Sequence, residues 1–235
     1  MPVIRIGHTP DADDAFMYYA IAHGKVSVGH YEVQHVLEDI QTLNQRALSG
    51  ELEGTAISAA VYPRVADKYR IMRVGSSIGR NYGPMVVATN VNEGLSLDGA
   101  TVAIPGEYTT AYLLLRLYAR GFKAIPMAFD EITNAVLKNQ VDAGLLIHEG
   151  QVTYSEMGLA KILDLGEAWG QDTGLPIPLG LDMVRRDLGD EVDSLMVQSL
   201  RESIAYAFEH EDEALEYARQ FSRGIDKETC RKFIR

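Results

Sequence analysis

Apolar runs of strand length alternate with segments of helical period from one end of this chain to the other. That alternation restricts the fold more than any other feature, because parallel strands cannot be joined by hairpins and need crossover segments, most often helices, that cover the sheet. The reading is therefore α/β. Residues 3–8 read as a first strand, followed by a helix over 13–23 with Asp11 or Asp13 as N-cap and Gly24 as its stop. A second strand over 31–37, a helix over 40–48 with Ile40, Leu43, Ala47 and Leu48 on one face, and a third strand over 55–58 complete a βαβαβ unit. Two further apolar runs, 70–74 and 85–89, flank the loop 76–84, whose glycines and proline mark a break.

The pattern then restarts. Strands are expected over 101–104, 124–129, 141–148 and 159–165, with helices over 109–120 and 130–139 and a loop over 169–174. After a strand over 181–184 the chain becomes helical to its end, with Leu195, Leu200, Ile204, Phe208 and Leu215 as the apolar stripe. Two lobes follow from this, residues 1–87 with 180–235 and residues 88–179, joined by crossings near Val87 and Gly180. Such a pair would enclose a hinged ligand cleft like that of solute-binding proteins, with chemistry at the carboxyl ends of strands.

At 235 residues and 46% hydrophobic content the chain is long enough for one large domain or two modest ones. A formal charge of −11 works against phosphate backbones and anionic membrane surfaces, so neither nucleic acid nor membrane is expected as a partner. No run approaches the roughly 18 apolar residues of a membrane helix, and the N-terminus turns acidic before a signal peptide could form, which predicts a cytoplasmic protein. The single cysteine, Cys230, excludes an internal disulfide and a cysteine-based zinc site, and in its charged surroundings it reads as incidental.

Four segments can carry chemistry. Thr109, Thr110 and Ala111 open a helix directly after a strand and Gly106, where unpaired N–H groups and hydroxyls suit a carboxylate; the same residues also suit an ordinary Thr N-cap after a Gly turn. Asp11, Asp13 and Asp14 stand at the entrance of the first helix, a place for metal or acid–base work, though negative charge also stabilises any helix N-terminus. Ser58 ends the third strand with a hydroxyl that can cap or bind. His148 closes the strand 141–148, which puts an imidazole at the cleft end of the second lobe, as a general base or as a hydrogen-bonded structural histidine. Glu149 should point to the opposite face. His8 ends the first strand and can also face the cleft, whereas no spacing among the histidines suggests a metal site. Aromatic ligands would meet Phe16, Tyr62, Tyr82, Tyr108, Tyr154 or Trp169, and no GxGxxG, P-loop or GxSxG motif is present.

Four motifs, Thr9-Pro10-Asp11-Ala12-Asp13-Asp14-Ala15-Phe16, Gly83-Pro84-Met85-Val86-Val87-Ala88, Pro105-Gly106-Glu107-Tyr108-Thr109-Thr110-Ala111 and Leu146-Ile147-His148-Glu149-Gly150-Gln151, resemble the 1,4-dihydroxy-6-naphthoate synthases of the futalosine route to menaquinone. The likeness runs over nearly the whole chain, and the last motif is the most specific. It implies the two-lobed, type II periplasmic-binding-protein-like fold, His148 as catalytic base, and Ser58, Thr110 and Ala111 holding the polar end of the ligand. Thr9, Asp14 and Thr109, inside the matched motifs, join the substrate-binding candidates. The implied reaction is a lyase step on cyclic dehypoxanthine futalosine that needs no metal or cofactor, in a monomer or homodimer. Chorismate dehydratase shares fold and pathway but lacks the Ile-His-Glu strand ending, and a non-catalytic carboxylate-binding protein would carry a signal peptide. Departures are Asp13 where many members have Asn, Ala15 where many have a small hydroxyl residue, and an end at Arg235 that is early for the family.

Overall fold

The first apolar run forms β1 (Val3–His8), and α1 (Ala12–Ala22) carries the chain back to β2 (Glu32–Leu37). Then follow α2 (Ile40–Ser49), β3 (Gly54–Ser58), the single turn α3 (Tyr62–Val65), β4 (Tyr69–Ile71) and β5 (Ser77–Gly79). The second series is β6 (Met85–Thr89), β7 (Thr101–Ile104), α4 (Thr110–Tyr118), β8 (Lys123–Pro126), α5 (Phe129–Leu137), β9 (Ala143–Leu146), α6 (Gly150–Thr153), β10 (Leu159–Asp164) and α7 (Leu165–Thr173). The chain closes with β11 (Ile177–Arg185), α8 (Gly189–Glu209), α9 (Glu211–Ala218) and α10 (Lys227–Ile234). This computed structural model describes residues 1–80, 82–89, 94–148, 150–222 and 226–234. Asn81 of the expected loop and Glu149 lie outside the described residues. No helix among the described residues is long and apolar enough to cross a membrane.

Contacts divide the chain into unit 1 (Met1–Ile57, Val61–Ser76, Gly180–Arg235) and unit 2 (Ser58–Ala60, Ser77–Leu179). A boundary at Val87 would cut β6, which lies whole in unit 2 because ladders to β9 and β10 hold it along its length. In unit 1 the strand order is β2-β1-β3-β11-β4, with β1 parallel to β2 and β3 and with β11 antiparallel to β4. In unit 2 the order is β10-β6-β9-β7-β8, and β6 alone runs against the rest. Parallel neighbours there are reached through crossover helices, whereas the chain arrives at β6 with no such helix before it.

Unit 2 buries both faces of its sheet, and the period of two along each strand decides which side chain goes where. Val86, Ala88, Val102, Ile104, Ala143 and Leu145 pack with Leu114, Leu115 and Leu165 of α4 and α7. Met85, Val87, Ala103 and Leu146 pack with Ile132, Ala135 and Val136 of α5. Each fully buried aliphatic side chain contributes about 1.5–3 kcal/mol. Unit 1 sets α1 between two clusters, Tyr18 and Ile21 facing α8 and Phe16 and Tyr19 facing α9 and α10. Cys230 is fully buried in the second of these clusters, so it is a core residue rather than an incidental one.

Several expected elements differ: the loop over 76–84 holds β5, the strand over 181–184 already starts at Ile177, and the apolar run over 70–74 is strand only to Ile71. The loop over 169–174 is the second half of α7, a helix started by Asp164, whose carboxylate accepts the Gly166 and Glu167 N–H groups at 3.0 Å each, and stopped by Gly174 at φ 66°. The strand over 124–129 stops at Pro126, and Phe129 opens α5. The strand over 141–148 is shortened to Ala143–Leu146, with consequences for His148 described below.

Gly144 shows how closely α5 lies on β9. A Cβ at that position would stand 2.5 Å from Ile132 Cγ2 and 2.8 Å from Val136 Cγ2. Gly144→Ala is expected to lower the unfolding free energy by about 1–3 kcal/mol through overpacking, read from the denaturation midpoint at unchanged m-value.

Candidate functional site

In unit 2 the polar groups gather where β7 and β9 end. Gly106, at φ 146°, takes a backbone conformation that favours glycine and lets the chain turn from β7 into α4. Thr109 is the N-cap of that helix. Its hydroxyl donates to the Gly106 carbonyl at 2.8 Å and accepts the Tyr112 N–H at 3.1 Å. The first N–H groups of α4, on Thr110 and Ala111, precede the capped one and have no partner within the helix itself. The Thr110 hydroxyl accepts the Ala60 N–H at 3.2 Å and donates to the Leu179 carbonyl at 2.9 Å. It thereby ties the segment after buried Ser58 to the start of α4, and its bonding is used within the protein. What Thr110 and Ala111 offer an anion is backbone.

His148 follows β9 in a left-handed turn at φ 57°, not in the strand. The half-buried ring lies 4.9 Å from the Phe129 ring at the start of α5. The Gln151 N–H donates to the His148 carbonyl at 3.1 Å and closes the turn. Of the aromatics singled out from sequence, Phe16 is core, Tyr154 and Trp169 pack against core clusters, and Tyr82 is exposed. Tyr62 and Tyr108 are half-buried.

Unit 1 holds a second polar group at the end of β1. Asp11 caps α1 by accepting the Asp14 N–H at 3.4 Å. Asp14 accepts the Thr9 N–H at 2.7 Å, and the Thr9 hydroxyl stands 2.6 Å from Asp11 Oδ2 and 2.8 Å from Asp14 Oδ2. A hydroxyl has one proton, so the second of those contacts is favourable when its carboxyl carries a proton of its own. The electrostatics agree: burial first, then the charges of Asp11 and Asp182, hold the Asp14 carboxyl well above its usual range. Asp13 is raised as well, by burial and then by Asp11 and Asp14. The ligand atoms of Asp11, Asp13 and Asp14 lie within 4.8 Å of one another, and Asp11 and Asp14 are committed to Thr9 and the helix start.

Sequence reasoning missed Asp182 and Gly75, and it named His8 without the partners it has here. Asp182 on β11 accepts the Tyr18 hydroxyl at 3.1 Å, and burial raises its carboxyl to about 7. Gly75 faces it at φ 76°, where a Cβ would stand 2.2 Å from Asp182 Oδ2. His8 stacks on Tyr18 with ring centroids 4.5 Å apart, and its Nε2 shares a hydrogen bond with His35 Nδ1 at 2.9 Å. Burial, followed by the proximity of His35, lowers His8 to about 3. Tyr18 and Asp182 are far apart in sequence, and no local pattern joins them.

Two mixed sheets, each covered by its own helices, define the class of periplasmic solute-binding folds. The periplasmic aliphatic sulphonate binding protein SsuA of Escherichia coli shares this fold at a TM-score of 0.68 and 11% identity, over 100% of this chain and 83% of that one. The crystal structure of protein AF1704 from Archaeoglobus fulgidus is much nearer, with a TM-score of 0.94 and 53% identity over 99% of this chain and 86% of that one. The chain matches the family model for menaquinone biosynthesis over residues 4–235. It is 42% identical over 228 residues to the 1,4-dihydroxy-6-naphthoate synthase of Thermus thermophilus, covering 97% of this chain and 83% of that protein. The corresponding synthase of Streptomyces coelicolor is 37% identical over 229 residues, 95% and 80% of the two chains. The chain belongs to the menaquinone-biosynthesis family, among the 1,4-dihydroxy-6-naphthoate synthases, which are lyases.

The raised Asp182 has a consequence for stability. Its folded value of about 7 lies above the ordinary 3.8, so between those pH values the native state binds more protons than the unfolded one and stability falls as pH rises. Asp182→Asn removes that titration. Relative to the variant, the parent protein is expected to lose stability between pH 5 and pH 7, by at most about 1.4 kcal/mol per pH unit, in parallel denaturant melts.

Proposed function

We propose that this protein converts cyclic dehypoxanthine futalosine to 1,4-dihydroxy-6-naphthoate, with His148 as the general base. The observation that carries the reading is the placement of two chemistries at one edge of one sheet. β7 and β9 are parallel neighbours, paired at Val102 with Ala143 and at Ala103 with Gly144, so their carboxyl ends lie side by side. One end leads to the first N–H groups of α4, on Thr110 and Ala111, which the helix itself does not pair, and the other leads to His148. A carboxylate held at the first and a C–H presented to the second are the requirements for positioned proton abstraction.

In this reading Ser58, Thr110 and Ala111 bind the carboxylate end of the substrate, and Thr109 fixes that helix start through its cap. His148 takes the proton, and the electrons released cleave the bond to the sugar-derived part. The dihydroxynaphthoate leaves with its new ring aromatic. Aromatisation supplies the thermodynamic drive, so the scheme calls for neither metal nor redox cofactor. The relatives' names support the product and the pathway. The strongly acidic composition supports a small-molecule substrate over nucleic acid or membrane.

His148→Asn is expected to lower turnover by roughly a hundred- to ten-thousandfold while substrate affinity is largely kept. Product analysis with chorismate as the competing substrate checks the assignment, and dehydration of chorismate would overturn it. Near-normal turnover in folded His148→Asn would overturn the role of the base.

A further inference from the structure

We infer that Gln151 is a positioning residue for His148, an inference that rests on the reading of His148 as the base. The β6–β9 ladder pairs Met85 with Leu146 in antiparallel register. Two residues further along each strand, the same register would set Gly83 opposite His148. The ladder does not reach that far, because β9 stops at Leu146 and His148 turns away with φ 57°. The backbone groups that would have met are bridged instead by one side chain. With its amide oriented to satisfy both ends, Gln151 accepts the His148 N–H on its oxygen at 3.1 Å and donates from its nitrogen to the Gly83 carbonyl at 2.6 Å. The Gln151 backbone N–H takes the His148 carbonyl at 3.1 Å as well.

Gln151 therefore holds both backbone groups of His148 and fastens them to Gly83. The residue is 8% exposed, so water does not readily substitute for the amide. Gly83 is itself confined, since a Cβ there would stand 3.1 Å from Gly166 Cα and 3.2 Å from Ile177 Cδ1. The anchor at the far end of the amide is closely packed, which is what makes the bridge useful. A left-handed turn is an uncommon conformation for a residue with a Cβ and persists where its surroundings over-determine it. The direction of the imidazole depends on that turn. Only a side chain with both a donor and an acceptor at this length can span the gap, which a carboxylate or a thioether cannot do.

The test compares Gln151→Met, Gln151→Glu, His148→Asn and the double variant Gln151→Met/His148→Asn, each checked for folding by circular dichroism and assayed with cyclic dehypoxanthine futalosine. Gln151→Met is expected to lower kcat by roughly ten- to a hundredfold with KM changed by less than about threefold, the signature of a misplaced group rather than lost binding. In the double variant the loss should not exceed that of His148→Asn alone, because a residue that acts through another contributes nothing once that other is gone. Gln151→Glu retains the acceptor and loses the donor when ionised, so its activity relative to the parent should rise as pH falls and the carboxyl gains a proton. Wild-type kcat in Gln151→Met, multiplicative losses in the double variant, or a pH-independent activity ratio for Gln151→Glu would each overturn the inference. Turnover preserved in His148→Asn would overturn the base itself, a distinct result read from a different protein.

Discussion

When a strand leaves its ladder, the next N–H and C=O groups lose their partners, and a buried backbone group left unpaired costs about as much as a lost hydrogen bond. The candidate sites of this protein are built on that constraint. After β1, Asp14 takes the Thr9 N–H and Asp11 the Asp14 N–H. After β7, Thr109 caps α4, while Thr110 joins it to the chain following β3. After β9, Gln151 bridges the gap between His148 and Gly83. The side chains that close these ends are polar because the backbone requires it, and the groups left over are the ones able to meet a substrate.

The two units meet this requirement differently. Around β7 and β9 most of the polar bonding is between neutral hydroxyls, amides and backbone, and the leftover donors favour an anion. Around β1 three carboxylates and Asp182 share a small volume with Tyr18, His8 and His35. Burial there raises the carboxyls of Asp13, Asp14 and Asp182 and lowers the imidazoles of His8 and His35. An acidic sequence motif has become a buried hydrogen-bonded cluster.

Much of the framework was legible because apolar period and helix caps are local. β1, β6 and β7 have the expected limits, since the strand period is two and turn residues flank each run. The second half of α7 does not read as helix because glycines and polar residues lower its intrinsic helix preference; the cap at Asp164 and the packing of Leu165 and Trp169 override this. His148 stands out by its place after an apolar run, but its strand is shorter than that run, as nothing local reveals where a ladder stops. The roles of Gln151 and Asp182 were hidden for the same reason: each depends on a partner that register and topology bring from elsewhere in the chain. The resemblance to the synthase family supplied what periodicity could not, the identity of the chemistry.

The His8–His35 contact carries one further implication. Two neutral imidazoles hold two protons on four nitrogens, and the 2.9 Å bond between His8 Nε2 and His35 Nδ1 requires one of those protons to lie between them. Either ring can own it. If His8 is the donor, the remaining proton sits on the outer nitrogen of His35; if His35 is the donor, it sits on the outer nitrogen of His8. The pair is thus a small reversible dipole: its polarity can invert with no change in net charge.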